Sequence, residues 1–112
     1  MTADVLLEIQ RQVRDARAVL TDGDPAQAKI EGVLLLRQAE DAAGDLPSDL
    51  AEDSVTFRAV LDVRNELGGC LLAAERMEEA GVESRVVAGI LRRGAATAEV
   101  IIGRVAASSV RG

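Results

Sequence analysis

The side chains able to do chemistry are few, and their types narrow the options at once. The 112-residue chain has no His, Trp or Tyr, a single Phe (Phe57) and a single Cys (Cys70). General acid–base catalysis usually recruits a histidine, zinc is held by Cys and His, and single-stranded nucleic acid is stacked on aromatic rings. Cys70 has no histidine to activate it and phases with Val63, Ala74 and Met77 on a lateral helix face, so it reads as a small apolar residue. Di-metal sites in helical bundles combine inward Glu residues with Glu-x-x-His, which this chain does not contain. Glu66 and Glu99 fall on the polar sides of their helices, which leaves no carboxylate pair poised for catalysis. The glycines at Gly68-Gly69 and from Gly89 to Gly94 lack the lysine and preceding strand of a phosphate-binding loop. No enzyme activity, metal or cofactor is expected from these residues.

Two basic features remain. Arg92-Arg93, with Arg85 on a nearby face, suits an acidic protein, a phosphate group or nucleic acid. Arg64 shares a helix line with Phe57, Leu61, Gly68 and Leu71, and Glu75 continues it. Either its stem covers the core while the guanidinium reaches water or a carboxylate, or it anchors an acidic ligand in a groove. The net charge of −6 argues against nucleic acid as a partner, because phosphates need a basic surface. Charge is also uneven: residues 1–46 and 47–81 are acidic, whereas residues 82–112 carry two acids and five bases. That asymmetry lets the last helix sit beside acidic neighbours and selects partner and register. Arg outnumbers Lys twelve to one, a coding bias of bacterial type.

The elements that position these groups are legible from punctuation. Thr21-Asp22-Gly23-Asp24-Pro25 stops one helix at Gly23 and starts another, with Asp24 as N-cap and Pro25 in the first turn. Gly44-Asp45-Leu46-Pro47-Ser48-Asp49 repeats the pattern, with Gly44 in a left-handed cap, Leu46 folding back, and Ser48 or Asp49 capping the next helix. Gly81-Val82 marks a third boundary. Helices follow at roughly 3–21, 25–43, 49–80 and 83–109. Apolar residues make up 48% of the chain, enough for one domain over residues 1–112 to bury a core without disulfide or metal. Short connections make successive helices antiparallel, so the expected fold is all-α, an antiparallel four-helix bundle with a longer C-terminal hairpin. The Gly68-Gly69 pair predicts a kink there, or a break into 49–67 and 70–80 that could act as a hinge.

Helical phasing assigns faces. The first helix has one narrow stripe (Val5, Ile9, Val13, Ala16, Leu20) and reads as peripheral. The second carries Ala28, Gly32, Leu35, Leu36, Ala39, Ala43 and Leu46 on one side and Ile30, Val33 and Leu34 on another. That second side either packs within the same bundle, as in central helices, or lines a dimer or partner interface. The fourth helix is broadly apolar through Val86, Val87, Ile90, Leu91, Gly94, Ala98, Ile101, Ile102 and Val105, and should be the most buried. Gly32 and Gly94 lie on apolar stripes, where two backbones could approach closely.

The leading expectation is a non-catalytic helical interaction or assembly module that self-associates, with itself or another protein as partner, through Ile30, Val33 and Leu34 and with Arg92 and Arg93 available for contact. A second is a bundle that binds a small apolar or acidic ligand in an internal pocket among Phe57, Leu61, Arg64, Leu71, Ile90 and Ile101, gated near Gly68-Gly69. A third rests on a weak repeat: Leu34 to Gly44 (LLLRQAEDAAG) and Leu71 to Gly81 (LLAAERMEEAG), 37 residues apart. The pair resembles the helical end of a tetratricopeptide-type repeat, which implies peptide binding, although the aromatic positions of that pattern are missing. The N-terminal residues lack the basic segment and apolar run of a signal peptide, and no apolar stretch approaches the ~20 residues of a membrane span, so a cytoplasmic location without membrane contact is expected.

Overall fold

The computed structural model describes residues 2–45 and 55–111. Four helices run α1 (Thr2–Asp22), α2 (Pro25–Gly44), α3 (Val55–Glu79) and α4 (Ser84–Arg111), and they pack as an antiparallel bundle. Neighbours follow chain order, α4 returns beside α1, and α2 and α4 also meet across the centre. The second hairpin is longer, with helices of 25 and 28 residues against 21 and 20. The closed ring distinguishes this fold from an open stack of helical repeats, so Leu34 to Gly44 and Leu71 to Gly81 end two successive helices of one bundle.

The helix boundaries have local causes. Asp24 caps α2 by accepting from the Gln27 backbone N–H at 3.4 Å, and Pro25 follows where its missing N–H leaves no carbonyl unpaired. At the end of α3 the Val82 N–H donates to the Met77 carbonyl (2.9 Å) and the Gly81 N–H to the Glu78 carbonyl (3.1 Å). This is a Schellman cap, and Gly81 takes the left-handed conformation it needs, at φ 76°. Gly44 does not: α2 runs through it and ends at Asp45, whose N–H bonds the Asp41 carbonyl. The expected contacts of Leu46, Ser48 and Asp49, and the start of α3 before Val55, lie outside the described residues.

Twenty-odd apolar side chains form one core with no buried polar or charged residue among those described. Ile9, Leu36, Leu67, Leu91 and Ile102 are fully buried, each worth about 1.5–3 kcal/mol relative to exposure. In α1, Ile9, Val13, Ala16 and Leu20 face inward as expected; the Val5 side chain lies outside those described. In α4 the buried arc is the expected one except that Val86 is exposed and Ile90 and Ile101 are half-buried.

Helix α3 departs from its expected phase. Its buried face is Ala59, Val60, Val63, Leu67, Cys70, Leu71 and Ala74, so Cys70 belongs to the core and Arg64 is exposed. The cause is a close approach to α4: a β-carbon placed on Gly94 would lie 2.7 Å from Cys70 Cβ and closer still to its sulfur. Leu20 fills Gly32 likewise, with Cδ2 at 2.7 Å from such a carbon. Gly68-Gly69 does not break α3, which is helical throughout Val55–Glu79. Gly68 receives the Glu40 carboxylate from α2, while Gly69 meets nothing.

Gly94→Ala should therefore lower unfolding stability by about 1–3 kcal/mol through overpacking against Cys70. Gly89→Ala, with open space around the position, should raise it by about 0.5–1 kcal/mol through helix propensity. Denaturant unfolding followed by circular dichroism measures both; equal effects of the two substitutions would exclude the close α3/α4 contact as the cause.

Candidate functional site

Two surfaces stand apart from an ordinary solvated bundle exterior. The first is the outer face of α2. Because the core face of α2 meets α4 across the bundle, its opposite face has no helix over it among the described residues. Ile30 and Leu34 lie one turn apart there and are 61% and 59% exposed, so the bundle does not enclose them. Val33, at the shoulder of the same face, is half-buried and packed on the core. Glu31 and Arg37 flank Leu34; Gln27 Nε2 donates to Glu31 Oε1 at 3.4 Å, while Arg37 has no ion pair among the described residues.

The second surface is a groove of about 610 Å³ between α1 and α4, lined by Arg14, Arg17, Ala18, Thr21 and Asp22 from one helix and Arg92, Arg93 and Ala96 from the other. At its edge Glu99, largely buried, sits between two arginines of α1: its Oε1 is 3.5 Å from Arg14 Nε and its Oε2 is 3.0 Å from Arg17 Nε. The Arg17 contact is an ion pair without hydrogen-bond alignment, and Glu99 Oε2 is buried with no hydrogen bond. Thr21 Oγ1 donates to the Arg17 carbonyl at 2.7 Å, which pins that turn of α1. Arg92 and Arg93 form no ion pair among the described residues.

The remaining residues singled out by the sequence do not converge on either surface. Arg64 lines a polar groove of about 520 Å³ with Glu40, Asp41, Gly44 and Asp45, on the α2/α3 edge. Leu71 is in the core, Ile90 and Ile101 pack against it from α4, and Phe57 and Leu61 are half-buried; none of them lines the α1/α4 groove or the Arg64 groove. Arg85 lies two turns before Arg92 on α4, does not line the α1/α4 groove, and pairs with Glu83 at 3.6 Å. Sequence phasing did not bring Arg14 and Arg17 together with Arg92 and Arg93. The signal that could have done so was bundle closure, which sets the first helix beside the last.

Cys70 is held as a neutral thiol. Its Sγ–H donates to the Leu67 carbonyl at 3.3 Å, and burial, reinforced by the carboxylates of Glu66 and Glu40, pushes its pKa from 9.0 up to about 11. A thiolate nucleophile is thus disfavoured where it sits. No helix among the described residues is long and apolar enough to cross a membrane. Compared with known proteins, the chain matches no family model, no curated protein and no solved structure.

Because the folded thiol titrates above its unfolded value, the stability this group contributes is complete below about pH 9 and is lost as pH rises through about 11. The loss should amount to roughly 2–3 kcal/mol, and Cys70→Ala should flatten the slope of unfolding free energy across that window. With no Tyr and one Lys in the chain, few other groups titrate there to mask it. An identical slope in wild type and Cys70→Ala would refute the assignment.

Proposed function

We propose that this protein is a non-catalytic helical assembly module that pairs with a second copy of itself through the outer face of α2. The observation that carries the reading is the exposure of Ile30 and Leu34 on adjacent turns of a helix whose other faces are satisfied. Apolar side chains grouped in this way on a folded domain favour burial against another surface.

Charge supports a second copy as the occupant. Under a two-fold axis through Leu34, residues three positions before and after the crossing point exchange places between antiparallel helices. Glu31 of one copy then faces Arg37 of the other, twice over, with Leu34 against Leu34 at the centre. Gln27 similarly opposes Asp41, a donor against an acceptor. An isologous contact must be self-complementary, and the pairings of Glu31 with Arg37 and of Leu34 with Leu34 support that reading, with Ile30 opposite Gln38 at the edge.

Light scattering over a concentration series should give a dimer for the wild type. Leu34→Asp should weaken association at least about thirtyfold while leaving the helicity of the folded monomer unchanged, because the side chain is exposed in the single chain. Val33→Asp is a poorer test, since Val33 also packs on the core. Arg37→Glu should weaken the dimer and Glu31→Arg in the same chain should restore it. A wild type that stays monomeric, or a Leu34→Asp variant of unchanged mass, overturns the proposal.

A further inference from the structure

The α1/α4 groove has no part in self-association through α2, yet it concentrates positive charge on a protein of net charge −6. We infer that it binds a compact phosphate-bearing anion, held between the guanidinium groups of Arg14 and Arg17 on one wall and Arg92 and Arg93 on the other.

Three features of the site support this. Four arginines line it or its rim against two carboxylates, Asp22 and Glu99, so an empty groove keeps an excess of two positive charges at close quarters. Like charges gathered this way repel one another, and an anion of two or more charges relieves that repulsion. Glu99 meets both of its arginines at Nε, at 3.5 and 3.0 Å. Their terminal Nη groups make no hydrogen bond among the described residues, and a guanidinium offers the paired donors that match phosphate oxygens. Arg92 and Arg93 keep all their donors, since neither is engaged in an ion pair among the described residues.

Size selects a compact ligand over an extended one. Arg14 and Arg17 are separated by about 4.5 Å of helix rise and Arg92 and Arg93 are consecutive, so the basic zone spans roughly one turn. Asp22 lines the groove beside Thr21, and the adjoining depression of Leu7, Gln10, Arg11, Arg14 and Asp15 mixes both signs of charge. No aromatic side chain lines the groove to stack a base, which disfavours a nucleic-acid strand. The floor of Ala18 and Ala96 leaves room for the arginine side chains to close over a small anion.

The test is calorimetric titration of the full chain with inorganic pyrophosphate, and separately with adenosine diphosphate, against sodium chloride of matched ionic strength. The first probe presents the diphosphate alone and the second presents it on an organic body, so their relative affinities identify which source the groove prefers. Saturable binding of either is expected, weakened about tenfold or more by Arg93→Gln and again by Arg17→Gln. Arg85→Gln, which removes the same charge away from the groove, should leave affinity within about twofold at physiological salt. Circular dichroism checks that each variant is folded, as exposed positions allow. Absence of saturable binding, an equal loss on Arg85→Gln, or tighter binding of a single-stranded oligonucleotide than of either probe would overturn the inference.

Discussion

The arrangement depends on side chains that are missing at two helix crossings. Cys70 of α3 seats on Gly94 of α4, and Leu20 of α1 seats on Gly32 of α2, at separations that no β-carbon would permit. Each glycine costs about 1 kcal/mol in helix propensity relative to alanine, and the packing gained at the crossing offsets it. These contacts set how near the helices of each hairpin lie. Alanines at Ala16, Ala28, Ala39, Ala43, Ala59, Ala74, Ala88, Ala95 and Ala98 extend the same economy through the core. With a single Phe and no other aromatic residue in the chain, the result is a thin bundle, 16 Å along its shortest axis.

Ile30 and Leu34 phase opposite the buried face of α2 and remain outside on the helix that also contacts α1, α3 and α4. Packing of α4 beside α1 brings arginines of the two helices across one groove, where Glu99 meets Arg14 and Arg17 on the wall of α1. Specificity in such a protein resides in the pattern of its exterior, and the buried thiol contributes packing.

Much of the fold was legible because its determinants are local. Asp24-Pro25 and Gly81-Val82 mark helix ends through capping chemistry that needs no tertiary information, and the single stripes of α1 and α4 point inward wherever they pack. The phase of α3 was not legible in this way. It carries Phe57 and Leu61 on one arc and Val63, Leu67, Cys70 and Ala74 on another, with Leu71 between them and buried, and the fit of Cys70 to Gly94 favours the second. Phasing on the first arc sets Arg64 near the apolar line, whereas in the bundle it borders Glu40, Asp41 and Asp45. For α2, periodicity identified two apolar sides but could not say which would stay uncovered, since that depends on the neighbours of the helix. The cluster of Arg14, Arg17, Arg92 and Arg93 joins opposite ends of the chain and has no local signature at all.

The central claim is that two copies meet at Leu34, and a thiol placed there reads the contact directly. Cys70 is buried, so Leu34→Cys provides the chain with one accessible sulfur. Under mild oxidation the account predicts a disulfide-linked dimer from Leu34→Cys and little from Ala18→Cys on the α1/α4 edge, because a disulfide forms only where Cα atoms approach within about 4.4–6.8 Å. Equal cross-linking of the two variants, or none from a folded Leu34→Cys protein, would contradict it.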